Sequence, residues 1–137
     1  MSVEQNKLIM HRLLEDVWNK GNLAVVDELF TADHTSPSAP FLPPGPEGTK
    51  IIVNMFRKAM PDYKLKIDLI MADDYKVVAR FTQSGTHVGE PLLGMNASGR
   101  RAEWTEIAVL EVTNGKITKS WYETDMLALV NQLNAQK

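Results

Sequence analysis

Residues 100–125 read RRAEWTEIAVLEVTNGKITKSWYETD, and this stretch decides the fold class. At its centre lies Asn114-Gly115, a dipeptide favoured in two-residue hairpin turns because both turn positions need a positive φ. On either side, apolar and polar residues alternate with the period of two that is typical of strands. The stretch therefore predicts two long antiparallel strands, over about residues 100–112 and 116–125.

The same period assigns side chains to the two faces of each strand. On the first strand, one face carries Trp104, Glu106, Ala108, Leu110 and Val112. On the second strand, one face carries Ile117, Lys119, Trp121, Glu123 and Asp125, and the other carries Thr118, Ser120, Tyr122 and Thr124. Because the large apolar residues belong in a core, we expect the faces with Trp104 and Trp121 to point inward.

Further strands are predicted upstream of this hairpin, over residues 63–71 and 75–88, where apolar and polar residues again alternate. Apolar spacings of three to four predict helices over residues 3–19, from Asn22 to near Ala32, over 47–59 and from Met126 onward. Residues 33–46 hold five of the seven prolines and are expected to form a loop. Three helices followed by four antiparallel strands indicate an α+β fold with a cavity between helices and sheet.

Composition narrows the class of protein. The 137 residues suit one domain, and the formal net charge is −2 with acidic and basic residues interspersed, so we expect no nucleic-acid partner. No apolar run reaches the roughly 20 residues of a membrane span, and the charged N-terminus does not read as a signal peptide. Cysteine is absent, which is compatible with the cytoplasmic location that we expect.

Asp125 is the first candidate for acid–base chemistry, because a carboxyl group beside apolar side chains has a raised pKa and can exchange protons near neutral pH. The alternative is that Asp125 is the N-cap of the C-terminal helix, a position that favours Asp. His87 is the second candidate, as a hydrogen-bond partner of the acid–base group, although a lone histidine can equally be a structural residue. No spacing typical of a metal site or a phosphate loop occurs, so we expect neither metal nor cofactor.

Several stretches, in order, resemble the SnoaL-like polyketide cyclases, also called ester cyclases. They are WNKGNLAVVDELFTAD, GPEGTK, FRKAMPDYKLKI and the long segment from Asp73 to Asp125, so that the resemblance covers about residues 10–125. Its most specific pieces are Pro61-Asp62, Gly85-Thr86-His87 with Gly89-Glu90, and Asn114-Gly115-Lys116-Ile117 followed by Trp121 and Asp125. The resemblance implies a single SnoaL-like domain over residues 1–137, with a cystatin-like or nuclear-transport-factor-like cone of N-terminal helices in a curved four-strand antiparallel sheet.

The resemblance also implies an activity. Family cyclases close a carbocyclic ring by intramolecular aldol condensation without metal or cofactor, and the aspartate that moves the proton matches Asp125. Many relatives carry His or Asp where this chain has Ala108. The expected substrate is a small hydrophobic, carbonyl-bearing molecule, and the residues expected to line its pocket are Trp104, Trp121, Phe56, Met60 and Tyr63.

Two other functions stay open at this point. One is a non-catalytic small-molecule binding protein of the same fold, and the other is an isomerase or hydrolase of the superfamily, because one fold hosts many functions. We also expect a homo-oligomer, a dimer or tetramer, with the face formed by Thr118, Ser120, Tyr122 and Thr124 as a plausible interface.

Overall fold

The computed structural model describes residues 2–134, which form helices packed against one curved sheet. The helices are α1 (Val3–His11), α2 (Ala24–Leu29), α3 (Pro46–Ala59) and α4 (Met126–Leu133), and a π-helical segment, Arg12–Asn19, continues α1. The strands are β1 (Phe30–Thr35), β2 (Lys64–Ala72), β3 (Lys76–Thr86), β4 (Arg101–Thr113) and β5 (Lys116–Thr124). None of the described helices has the length and apolarity that crossing a membrane requires.

The sheet order is β1-β5-β4-β3-β2. Strands β2 to β5 form the predicted antiparallel meander, and its β4–β5 turn has the positive φ at Asn114 and Gly115 that the sequence predicts. The α+β class is confirmed, but the predicted count of four strands is wrong. The fifth strand, β1, pairs in parallel with β5, where the sequence predicts the end of a helix and the start of a loop.

One irregularity in β5 sets the faces of that strand. Glu111 pairs with Lys119 and Val112 pairs with Ile117, so one extra residue, Thr118, is accommodated as a bulge. Because side chains alternate strictly along a strand, one extra residue exchanges the two faces beyond it. Ile117 points into the core as predicted, whereas beyond the bulge Ser120 is buried and Trp121 faces outward.

Helices α1 and α2 and the π-helical segment pack on the concave face of the sheet, where the apolar core lies. Asn19, at the end of the π-helical segment, fixes this packing by exchanging two hydrogen bonds with the main chain of Leu65 on β2, of 2.7 and 3.0 Å. Arg57 of α3 donates to the carbonyl oxygens of Trp18 and Asn19 at 2.7 and 2.9 Å. The indole of Trp18 lies edge-on to Phe56 of α3, with 6.0 Å between ring centroids.

Candidate functional site

A pocket of about 550 Å³ opens between the concave face of the sheet, α3 and the proline-rich loop 36–45. Its volume lies within the range of ordinary small-molecule sites. The walls are mainly apolar and include Trp18, Pro40, Phe41, Leu42, Ile52, Phe56 and Met126. A few polar side chains interrupt this surface: His34, Thr49, Gln83, Glu106, Tyr122 and Thr124. An apolar cavity with a small number of polar groups is the arrangement that binds and orients a hydrophobic ligand.

The loop 36–45 forms one wall of the pocket and is tied to β5. Gly45 donates its main-chain N–H to the carbonyl oxygen of His34 at 2.8 Å, which closes the loop at its base. Ser36 donates its hydroxyl to the carbonyl oxygen of Ser120 at 2.9 Å, and the Tyr122 amide donates to the Ser38 hydroxyl at 3.0 Å. The loop is therefore anchored on both flanks, while Phe41 at its tip is 76% exposed.

The carboxyl group of the pocket belongs to Glu106, on β4. Thr124, its cross-strand neighbour on β5, donates its hydroxyl to Oε1 at 2.6 Å, and Gln83 on β3 donates its amide to the same oxygen at 3.2 Å. The Gln83 amide is oriented in turn by Tyr63, whose hydroxyl donates to its oxygen at 2.6 Å. Within residues 2–134, Oε2 makes no hydrogen bond, so one oxygen is fixed and the other is available to a ligand.

The pocket changes the protonation of Glu106. Burial raises the pKa of this carboxyl above its ordinary value, because a low-dielectric site disfavours the charged form, although the hydrogen bonds from Thr124 and Gln83 act in the opposite direction. A carboxyl with a raised pKa both accepts and returns a proton more readily near neutral pH. Glu106 thus has the environment that the sequence analysis expects of Asp125.

Asp125 itself lies elsewhere. It is exposed and is the N-cap of α4, where its Oδ1 accepts a hydrogen bond from the main-chain N–H of Ala128 at 3.1 Å. It is not among the lining residues of the pocket, so the expected inward orientation is wrong and the capping alternative is confirmed. The physical reason is that β5 ends at Thr124 and the chain turns into the helix at this residue.

His87 also lies outside the pocket. Its side chain is fully buried beyond the end of β3, and Nε2 donates to the carbonyl oxygen of Glu90 at 2.9 Å. Its main chain bonds to Arg100 and Gly99, so this residue joins two loops. The geometry favours the structural role that the sequence analysis gives as the alternative.

The five residues expected to line the pocket are divided among four environments. Phe56 lines it as predicted. Trp104 and Tyr63 lie one layer behind, with ring centroids 6.0 Å from Phe56 and 5.6 Å from Trp18 respectively. Met60 is fully buried in the core, and Trp121 lies on the outer face, with Lys119 Nζ 5.4 Å from its ring centroid.

The bulge in β5 explains the misplacement of Trp121. It also brings the face with Ser120, Tyr122 and Thr124 to the concave side, where these residues are buried or line the pocket. The suggestion that this face is an oligomer interface is therefore wrong. The sequence analysis missed His34 because it placed this residue in a loop, whereas His34 lies on β1 with its ring directed into the fold.

Within residues 2–134, no three His, Cys, Asp or Glu side chains lie close enough together to hold a metal ion. The hydrogen bonds and the raised pKa of Glu106 suit proton transfer and hydrogen bonding to a ligand.

A curved sheet that closes with helices around a pocket is the nuclear-transport-factor-like architecture. The chain belongs to the SnoaL-like polyketide cyclase family, whose model matches residues 8–133. No curated protein sequence matches the chain.

Three solved structures illustrate the similarity. TsrD from Streptomyces laurentii is 29% identical, with 99% of each chain covered and a TM-score of 0.90. A candidate polyketide cyclase from Bacillus cereus is 26% identical, with 97% of this chain and 83% of that chain covered and a TM-score of 0.82. AclR, a candidate hydroxylase from Streptomyces galilaeus, is 25% identical, with 99% and 100% covered and a TM-score of 0.84. Relatives named for different reactions thus share this fold.

Proposed function

We propose that the protein is a cyclase-type enzyme that performs acid–base chemistry, with Glu106 as the group that moves the proton. The substrate is a small hydrophobic molecule with carbonyl groups, and the reaction is an intramolecular aldol-type ring closure. Membership of the polyketide cyclase family supports the reaction class. The observation that carries the proposal is a carboxyl with a raised pKa, one oxygen fixed and one oxygen unbonded, in the wall of an apolar pocket.

The reaction follows from that geometry. The Glu106 carboxylate removes a proton from a carbon next to a carbonyl group, and the electron pair of the C–H bond delocalises onto the carbonyl oxygen as an enolate. The enolate carbon then attacks a second carbonyl carbon of the same molecule, which forms the ring C–C bond and an alkoxide. Glu106, now protonated, returns its proton to the alkoxide, so that atoms and charge balance and the carboxylate is regenerated.

The apolar walls contribute in two ways. They hold a flexible chain folded, which converts ring closure into a reaction between preoriented groups. They also exclude water, which strengthens each electrostatic interaction in the pocket. Trp18, Ile52 and Phe56 supply flat and branched apolar surfaces for this purpose.

The alternative function is a small-molecule binding protein without chemistry. The pocket volume and the apolar walls fit this function equally well, because neither requires a titratable group. The hydrogen-bonded arrangement around Glu106 favours the enzyme, since an apolar residue at this position would bind a hydrophobic ligand without the cost of burying a carboxyl. The acid–base role of Asp125 stays a prediction that follows from the resemblance.

Proton exchange tests the proposal without knowledge of the natural substrate. The probe is 2-tetralone, a small apolar ketone, whose deuterium uptake next to the carbonyl is followed by NMR in D₂O. We expect the wild-type protein to accelerate uptake and Glu106→Gln to lose about 100-fold or more of that rate, as general-base removal does.

Asp125→Asn is the matched control, because Asn also caps a helix and the substitution removes the same charge. Its rate should stay within about two-fold of wild type by the same reasoning. Equal rates for Glu106→Gln and wild type would remove Glu106 from the mechanism, and loss of exchange in Asp125→Asn alone would support Asp125. Saturable binding of 2-tetralone without any accelerated exchange would favour the binding protein.

A further inference from the structure

A second polar cluster in the same pocket involves Tyr122. This residue lies on β5 two positions before Thr124, on the same face, and its cross-strand partner is Ala108. Its side chain lines the pocket together with Glu106 and Thr124. Because residues two apart on one strand are separated by roughly 7 Å, the Tyr122 ring and the Glu106–Thr124 pair border the same volume.

Ser120 and His34 lie behind Tyr122. Ser120 is fully buried, two positions earlier on the same face, and its hydroxyl lies 2.8 Å from Nε2 of His34 on β1. The Ser120 hydroxyl also lies close enough to Tyr122 to lower the pKa of that residue. His34 is held in place by an edge-on contact with Phe30, at 4.7 Å between ring centroids. Ser120 and His34 therefore form a buried hydrogen-bonded pair behind Tyr122, which lines the pocket.

His34 brings no charge to this pair. Burial lowers the pKa of His34, against the opposing influence of Asp33 and the Gly45 backbone, so the imidazole is neutral at neutral pH. Its Nε2 and the Ser120 hydroxyl hydrogen-bond with each other and hold both side chains in place behind Tyr122.

We infer that Tyr122 is a catalytic hydrogen-bond donor, backed by Ser120 and His34 as positioning residues, which stabilises the oxyanion formed on a substrate carbonyl when Glu106 removes the neighbouring proton. The inference rests on the proposed function and adds the group that receives the negative charge. In this arrangement Glu106 on β4 takes the proton, and Tyr122 on β5 stabilises the negative charge. Donors aimed at a developing oxyanion commonly contribute about 100- to 1000-fold in rate.

The protonation of Tyr122 agrees with this role. Burial raises its pKa to about 12, with a further contribution from the Glu106 charge and an opposing one from the Ser120 hydroxyl. The hydroxyl therefore keeps its hydrogen throughout the neutral and mildly alkaline range. A tyrosine that stays protonated can donate to an oxyanion without giving up its own proton.

Two measurements test the inference. In the 2-tetralone exchange assay, Tyr122→Phe should lower kcat by about 100-fold and leave KM nearly unchanged, because only the charged intermediate loses a partner. The second measurement is binding of 4-nitrophenolate, a stable oxyanion, to Glu106→Gln. The uncharged glutamine amide of this variant stands in for the protonated Glu106 that coexists with the enolate.

We expect Glu106→Gln to bind the phenolate at least about ten-fold more tightly than Glu106→Gln/Tyr122→Phe, a factor that corresponds to one hydrogen bond to a charged group. Binding of 4-nitroanisole, the uncharged analogue, should be equal in the two variants. Ser120→Ala in the Glu106→Gln background should give a smaller loss for the phenolate and none for the anisole. Equal phenolate affinities in all three would overturn the inference.

The outcomes separate the inference from the proposed function. Accelerated exchange that depends on Glu106 but not on Tyr122 contradicts the inference and leaves the general base intact. Tyr122-dependent phenolate binding without any exchange in the wild-type protein contradicts the catalytic proposal and leaves the donor intact. Thermal unfolding of each variant shows whether a loss comes from misfolding, since Tyr→Phe and Ser→Ala change the side-chain volume little.

Discussion

Replacement of Glu106 by glutamine is expected to stabilise the protein at alkaline pH while it removes activity. The substitution keeps the shape of the side chain and an oxygen that can accept from Thr124 and Gln83. What it removes is a negative charge from a partly buried position with no basic residue among its hydrogen-bond partners. The folded protein bears the cost of that charge only when Glu106 is ionised.

Proton linkage sets the direction in which the free energy of unfolding changes with pH. Because the folded-state pKa of Glu106 is raised, the folded protein holds this proton over a pH range in which the unfolded chain has lost it. Below the pKa that Glu106 has in the unfolded chain, both states are protonated, and the burial of this carboxyl costs the folded state no charge desolvation. As pH rises through the folded pKa, the wild-type protein loses free energy of unfolding, whereas Glu106→Gln does not.

The size of the stabilisation by Glu106→Gln follows from the hydrogen bonds that the Glu106 carboxylate makes. One oxygen is satisfied, and the other makes no hydrogen bond within residues 2–134 but borders the open pocket. The low end of the cost of an incompletely satisfied buried polar group, on the order of 1 kcal/mol, is therefore appropriate. For a chain of this size, 1 kcal/mol corresponds to about 3 to 5 °C in Tm.

The assay is thermal unfolding by circular dichroism from pH 4 to pH 9. The Tm difference between Glu106→Gln and wild type should be near zero at pH 4, rise with pH and level off. Asp125→Asn is the control, and its Tm difference should stay flat and small because the exposed cap is preserved. A variant that is less stable than wild type at pH 9, or a difference independent of pH, would refute the assignment of Glu106 as a buried carboxyl with a raised pKa.

Three further predictions follow from the fold. Gly89→Ala should destabilise the protein by more than about 3 kcal/mol, because a Cβ there would lie 1.9 Å from the carbonyl oxygen of Lys58. Gly94→Ala has open space around the new Cβ and should cost only about 1 kcal/mol, for its positive φ. Urea unfolding that ranks the two variants in the reverse order would contradict this. Phe56→Ala should weaken 2-tetralone binding several-fold and Trp121→Ala should not, since only Phe56 lines the pocket; a matched loss in titrations of both variants would place Trp121 at the site. The homo-oligomer expected from the sequence, a dimer or tetramer, has two or four times the 15.4 kDa mass of one chain, and a single-chain mass by light scattering at micromolar concentration would contradict it.

Much of the architecture could be predicted because it depends on local patterns. The alternation of β2 to β5 and the Asn114-Gly115 turn are short-range signals, and both agree with the structure. Strand β1 could not be predicted, because FTADHT is short and polar and becomes a strand only through its pairing with β5. Tertiary pairing of this kind overrides local propensity.

The site was harder to predict than the fold, because the inward and outward faces of β5 exchange at its bulge. The bulge at Thr118 involves no special residue, so the sequence carries no sign that the faces of β5 exchange there. Glu106, in contrast, did carry a signal: it is the one charged residue on a face otherwise formed by Trp104, Ala108, Leu110 and Val112. A charge on an apolar face is unusual and points to function more strongly than a charge next to a helix start.

The bulge in β5 also limits how residue roles can be carried from one relative to another. An alignment without gaps over this strand can still match an inward residue with an outward one if the relative forms no bulge at the position of Thr118. Regular pairing of Thr118 with Glu111 would turn Trp121 and Glu123 toward the cavity and Tyr122 away from it, so loss of the bulge at constant chain length would exchange the side chains of this wall. Within such a family, new specificities can therefore arise by a shift in register, without substitution of any residue that contacts the substrate.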